Sequence, residues 1–197
     1  RTIRAVAVGA SAGGPPVVAE ILAALPRDLP CPILLVQHIA TGFAAGLADW
    51  LGRSTALKVK LADPDEPAAP GTVYVAPDDV QMGISRDGRI RLTDDAEADG
   101  FRPSASHLLS SVGRSYGAAA IGVLLTGMGR DGAAGLLELR ERGGVTIAQD
   151  KESSVVFGMP MEAIRLGAAE HILSPGRIAE TILALTKPGG EADIPRD

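Results

Sequence analysis

Val6-Ala7-Val8-Gly9-Ala10-Ser11-Ala12-Gly13-Gly14-Pro15-Pro16 carries an apolar strand pattern straight into a serine flanked by glycines, with two prolines behind it. Ile3 to Val8 predicts a short buried strand. Proline fixes φ at a helical value and lacks an N–H that the first turn of a helix does not need, so Pro15-Pro16 predicts the start of a helix continuing through Val17 to Leu25. The unit is strand, glycine turn, helix. A serine in such a turn is either a plain turn residue or a nucleophile, and as a nucleophile it needs a neighbouring base and donors for the oxyanion it creates.

The unit recurs along the chain. Pro32 to His38 is a continuous apolar run of the kind buried on both faces of a sheet, and Phe43 to Leu51 has helical spacing after it. Lys58 to Ala62 and Thr72 to Ala76 predict two further strands, joined by the Pro-rich loop Asp63 to Gly71. Gln81 to Ser85 and Arg89 to Thr93 flank Asp87-Gly88, the signature of a β-hairpin. The acidic run Asp94 to Asp99 predicts a solvated loop, and Ser104 or Ser106 a cap for a helix reaching Tyr116. Ala119 to Leu125 is a strongly apolar strand, followed by a glycine-rich loop and a helix over Ala133 to Arg142. Gly144 to Ala148 (strand), Met161 to Leu166 (helix, with Gly167 as its stop), His171 to Leu173 (strand) and Ile178 to Leu185 (helix) complete the pattern. Such alternation predicts an α/β, doubly wound, mostly parallel sheet with helices on both faces and a small antiparallel hairpin insertion. One domain is expected over residues 1–187, with a flexible tail at 188–197.

Composition narrows the function. The chain has 197 residues, 46% hydrophobic and 3% aromatic, which suits closely packed helices on a sheet of aliphatic strands. A net charge of −5 without long Lys/Arg runs gives no footprint for nucleic acid. The single cysteine, Cys31, excludes an internal disulfide framework and a multi-cysteine metal site, and its place before an apolar run predicts a buried structural thiol in a reducing compartment. No run reaches the length of a membrane span and none has the form of a signal peptide. The chain lacks an initiating Met and starts near a strand, as expected of a domain cut from something longer.

In open parallel sheets the working loops lie at the carboxyl ends of the strands. Ser11, His38 and Asp131 each fall at or just past such an end, so the fold is expected to bring them to one edge. Together they make a nucleophile, a base and an acid that orients the base. The order Ser, His, Asp differs from the Ser, Asp, His order of the nucleophile-elbow hydrolases, and Gly9-Ala10-Ser11-Ala12-Gly13 matches their pattern only as a short string. Gly9 to Gly14 taken alone is more often a phosphate- or dinucleotide-binding turn than a nucleophile site, which would make the chain a nucleotide-binding domain. It is, however, neither G-x-G-x-x-G nor a P-loop, and His38 stands where an acidic residue would hold a ribose. His107 and His171 are expected to be structural.

Several ordered blocks resemble the catalytic domain of the chemotaxis protein-glutamate methylesterase CheB family: Gly9 to Pro15, Val36-Gln37-His38 with Gly42-Phe43, Val75-Ala76-Pro77, Arg102-Pro103-Ser104, Leu125 to Ala133, Gly143-Gly144, Ala148-Gln149-Asp150, Val156 to Pro160 and Ala163-Ile164. The resemblance implies a cytoplasmic serine hydrolase that removes methyl groups from glutamate γ-esters on chemoreceptors, releasing methanol, and that also deamidates receptor glutamines. Ser11 would be nucleophile, His38 general base and then acid, and Asp131 the orienting acid. The Ala12 and Met128 backbone N–H groups would serve the oxyanion, with Met128 packing near the nucleophile, and Arg102 and Arg130 would rim an open substrate groove. It implies no cofactor and no metal, and a receiver domain that is missing from this chain. A non-catalytic signalling module of the same fold is the alternative. Two positions depart from the family's pattern: Ala12 stands where Thr is frequent, and Ser106 where an acid is usual, which bears on receptor docking at this edge.

Overall fold

Side chains alternate between the two faces of a strand, and in β1 (Ala5–Ala10) they also alternate in size. Val6, Val8 and Ala10 join one hydrophobic cluster, Ala5 and Ala7 the other. A computed structural model describes residues 1–189 and Ile194. Along it follow α1 (Gly14–Ala23), β2 (Ile33–Gln37), α2 (Ala44–Gly52), β3 (Lys58–Leu61), β4 (Thr72–Val75), β5 (Gln81–Ile84), β6 (Ile90–Thr93), α3 (Ala105–Tyr116), β7 (Ala120–Leu124), α4 (Ala133–Glu141), β8 (Val145–Gln149), α5 (Met159–Arg165), β9 (His171–Leu173) and α6 (Pro175–Thr186). The tail expected at 188–197 lies outside the described residues apart from Pro188, Gly189 and Ile194.

Seven strands form one sheet in the order β3-β4-β2-β1-β7-β8-β9, every pairing parallel, and β5 and β6 pair antiparallel beside it. This is the expected doubly wound architecture. From β1 the chain winds first to one side through β2 and later to the other through β7. The strand order therefore reverses between β1 and β7, and a crevice opens beyond their carboxyl ends.

On the valine face of β1, Val17, Val18, Ile21 and Leu22 of α1 and Ile178 and Ile182 of α6 close the core. The other face is covered by α3, α4, α5 and the hairpin, through Leu108, Leu109, Leu136, Leu139, Met159, Met82 and Ile90. Small residues on that side let α3 come close. A Cβ on Gly9 would lie 2.6 Å from Ala105 Cβ, so the first turn of α3 rests directly on the end of β1.

Boundaries move where tertiary pairing or proline decides them. β1 runs past Val8 because Gly9 and Ala10 still pair with Val36 and Gln37, which leaves Ser11 as the first residue beyond the strand. The helices expected from Met161 and Ile178 begin at Met159 and Pro175, with Pro160 and Pro175 in their first turns; the signal that marks α1 marks these starts too. Cys31 is buried, and desolvation pushes its thiol up to about 12, which keeps it unreactive.

The packing of α3 against α4 is tight enough to test. A Cβ on Gly135 would stand 2.4 Å from the Ser106 carbonyl oxygen, whereas one on Gly46 of α2 would meet nothing within 4 Å. Alanine is favoured over glycine in a helix by about 0.8–1.0 kcal/mol, so Gly46→Ala is expected to raise the urea midpoint. Gly135→Ala is expected to lower it, by about 1–3 kcal/mol of stability, because the two helices must part. A Gly135→Ala protein as stable as wild type would contradict the close approach.

Candidate active site

Ser11 is held at the carboxyl end of β1 by its backbone. Its N–H donates to Thr126 O (3.0 Å), and its carbonyl accepts from Gly14 N–H (2.8 Å) and Gln37 Nε2 (2.8 Å). The turn demands glycine at Gly13, whose φ is +78°, and at Gly127, where a Cβ would lie 2.6 Å from Ser11 Cβ. Thr126 is fully buried; its hydroxyl, with one proton to give, lies within hydrogen-bond reach of Ala12 O (3.0 Å) and Val156 O (3.1 Å), and its N–H donates to Gln149 Oε1 (2.8 Å). Three loops are thereby tied behind the serine.

His38 follows β2 as Ser11 follows β1. Ala10 and Gln37 are register partners and His38 N–H donates to Ala10 O (2.9 Å), so Ser11 and His38 leave neighbouring strands at the same level. The imidazole is nearly buried. Nε2 lies 2.6 Å from Asp131 Oδ2, while Nδ1 is buried and without a hydrogen-bond partner. Phe101 lies flat on the ring, with centroids 3.7 Å apart and planes at 6°.

Asp131 is fully buried, and every donor around it points at its carboxylate. Besides His38, Oδ2 accepts from Ala105 N–H (2.7 Å), and Oδ1 accepts from Ser104 Oγ (2.7 Å) and Ser106 N–H (3.0 Å). Ala105 and Ser106 open α3, whose dipole adds positive potential there. Burial alone would push the carboxyl up; the hydrogen bonds from His38, Ser104, Ser106 and Ala105 outweigh it and hold Asp131 below the ordinary carboxylate range. An ionised Asp131 requires the proton on His38 Nε2, which leaves Nδ1 as the lone pair able to accept one.

Ser104 caps α3 as expected, accepting from His107 N–H (3.2 Å), and its own N–H donates to Gln81 Oε1 (2.9 Å). Ser106, one of the two departures from the family pattern, lies inside α3. It is buried, and its Oγ accepts from Gly132 N–H (2.8 Å) and Gly135 N–H (3.3 Å) at the start of α4. Each helix thus receives its N-terminal acceptor from the other: Asp131, just before α4, serves α3, and Ser106, inside α3, serves α4.

Among the described residues, the Ala12 and Met128 N–H groups donate to no protein acceptor. The Met128 side chain, expected to pack near the nucleophile, is 68% exposed. Arg102 borders a groove of about 310 Å³ beside His38, together with Ile39, Ala76, Asp78, Phe101 and Pro103, and is bound to Asp79 Oδ1 through Nε (3.0 Å) and Nη2 (2.8 Å). Arg130 is not among the residues lining that groove; it projects into solvent, with Nε 3.4 Å from Asp99. His107 sits on α3 and His171 on β9. Sequence reasoning missed Phe101, Gln37 and Gln81. Gln37 stands inside one of the blocks that mark the family, next to His38, but nothing local to Phe101 marks it, because its contact is made across the fold.

No group of three or more His, Cys, Asp or Glu residues that could hold a metal is found among the described residues, and none of their helices is long and apolar enough to cross a membrane. A serine, an imidazole with one free nitrogen and an ionised carboxylate at a switch point form a set able to transfer acyl groups. A family model described as CheB methylesterase matches residues 6–182. The chain belongs to the CheB methylesterase family. It is 52% identical over 178 residues to protein-glutamate methylesterase FrzG of Myxococcus xanthus, covering 90% of this chain and 53% of that protein. It is 52% identical over 184 residues to a protein-glutamate methylesterase/protein-glutamine glutaminase of Geobacter metallireducens, covering 93% and 53% respectively. The chain therefore spans about half the length of these CheB relatives. The crystal structure of the Thermotoga maritima CheB methylesterase catalytic domain superposes with a TM-score of 0.89 at 37% identity, covering 94% of this chain and 100% of that one.

The state of Asp131 sets a pH dependence. Asp131→Asn is expected to destabilise the fold at pH 7 by about 2–4 kcal/mol, since an amide cannot accept from all four donors. Because the folded carboxyl lies below its ordinary value of 3.8, the stability it contributes is complete above that value and is lost as pH falls through the lower, folded one. Urea unfolding of wild type and variant should show a gap that narrows below about pH 4. A gap independent of pH would contradict an ionised, fully hydrogen-bonded Asp131.

Proposed function

We propose that residues 1–187 form the catalytic unit of a protein-glutamate methylesterase that hydrolyses glutamate γ-methyl esters on the cytoplasmic helices of chemoreceptors and deamidates receptor glutamines. The observation that carries the reading is the 2.6 Å bond from His38 Nε2 to a buried Asp131, which leaves Nδ1 without a partner on a residue that leaves the strand next to that of Ser11. Ser11 Oγ attacks the ester carbonyl carbon as Nδ1 takes its proton. Asp131 stabilises the imidazolium that forms. The oxyanion is received by the Ala12 and Met128 N–H groups, with the N-terminus of α1 behind them, so this step does not call on a side chain at position 12. Collapse of the tetrahedral intermediate expels the methoxy oxygen, which takes the proton from Nδ1 and leaves as methanol. Water then attacks the acyl-serine with Nδ1 again as base, that proton returns to Ser11 as the glutamate side chain departs, and the new carboxyl group gives its remaining proton to solvent. With a glutamine side chain the group that leaves is ammonia.

The names carried by the relatives support this reaction, and the surroundings of Ser11 suit a macromolecular substrate. Phe43, Met128 and Val155, on the loops after β2, β7 and β8, are 63%, 68% and 74% exposed, a collar of apolar side chains at the same sheet edge. A helical surface carrying the ester would lie across it. The other half of the longer relatives corresponds, in our reading, to a regulatory receiver domain.

Methanol release from methylated chemoreceptor membranes tests the assignment. Wild type is expected to turn over, with Ser11→Ala and His38→Ala each slower by about 10⁴-fold or more. Ser11→Ala releasing methanol at the wild-type rate, or no release by folded wild type from several receptors, would remove it and favour a non-catalytic module.

A further inference from the structure

One hydrogen bond does not fix a ring. The ring plane is set by rotation about Cβ–Cγ, and the bond from Nε2 to Asp131 is the one hydrogen bond that restrains it, since Nδ1 has no partner. Phe101 is placed to hold that plane. Its ring is parallel to the imidazole within 6° at a centroid distance of 3.7 Å, so the two are in contact over a whole face and water is kept from it.

Phe101 is itself anchored. It closes a tight turn with Ala98, each N–H donating to the other's carbonyl at 3.0 Å, around Asp99 and Gly100, both at positive φ. Its carbonyl also accepts from Gln81 Nε2 (3.1 Å), the side chain whose other end accepts from Ser104 N–H. Asp99 accepts from Ser106 Oγ (3.3 Å) and faces Arg130. The turn that carries Phe101 is thus tied to β5 and to the start of α3, the same helix end that holds Asp131. Ring and carboxylate are set from one frame.

We propose that Phe101 is a positioning residue for the hydrolysis: it holds the His38 imidazole in the plane that directs the Nδ1 lone pair at Ser11 Oγ. The inference rests on the reaction proposed above. Phe101 does not donate, accept or touch the reacting carbonyl in this role. Its effect is on orientation, where a small misplacement of a catalytic group costs rate rather than affinity.

The test uses the chain as it stands. Phe101→Leu and Phe101→Met remove the flat ring while keeping an apolar side chain, and Phe101→Tyr restores it. The Leu and Met variants are expected to lose about 10- to 100-fold in kcat for methanol release, with KM changed less than about twofold, and the Tyr variant to recover most of the loss. In parallel, the His38 ring protons should show an upfield ring-current shift in the NMR spectra of wild type and Phe101→Tyr that is absent from the Leu and Met variants. Unchanged kcat in the folded Leu or Met variant, a change confined to KM, or no ring-current shift in wild type would overturn the proposal. Wild type without Ser11-dependent turnover would instead sink the esterase reading, and the positioning role with it.

Discussion

A carboxylate taken fully out of water stays ionised only if donors replace the solvent, and Asp131 meets that demand with four of them. Two are backbone N–H groups at the start of α3, one is the hydroxyl that caps that helix, and one is the imidazole of His38. These donors come from elements distant in sequence. The carboxylate can be satisfied only when β2, α3 and the loop after β7 are all in place, so the requirement of a single buried charge fixes how the carboxyl edge of the sheet is assembled.

That assembly rests on the smallness of one face of β1. Ala5, Ala7 and Gly9 leave room for α3 to descend until Ala105 touches the strand, whereas Val6 and Val8 on the opposite face support α1 and α6. With larger side chains on the small face, the start of α3 would stand too far off to reach Asp131. The same strand then ends in Ser11, pinned to Thr126 on one side and next to His38 on the other. Packing and chemistry share residues here, and the glycines at 9, 13 and 127 serve both.

Much of this is legible in the amino-acid sequence alone. The βα alternation, the hairpin at Asp87-Gly88, and the placing of Ser11, His38 and Asp131 at strand ends all follow from local patterns, because strand ends and glycine turns are local events. What is not legible depends on contacts between distant segments. Phe101 on His38 and Gln81 across the 96–104 loop have no sequence signature. Ser106 is marked in the sequence only as a departure from a family pattern, and nothing local shows that its hydroxyl closes the start of α4. Met128 reads as a neighbour of the nucleophile from its place in the loop that carries Asp131, and the exposure of its side chain is set by how that loop sits on the fold. β1 outlasts its expected end for a related reason: Gly9 is a poor strand former alone and is kept in the strand by neighbours on both sides.

The exchange of caps between α3 and α4 has a dynamic consequence. Neither helix can fray at its N-terminus without stripping an acceptor from the other, since Asp131 leaves with α4 and Ser106 with α3. The two therefore behave as one cooperative unit in local opening, and the amide protons of Ala105, Ser106, Gly132 and Gly135 become exchangeable with solvent together. The part of the molecule that holds the acid is guarded against piecemeal loosening, and its lifetime is that of the pair.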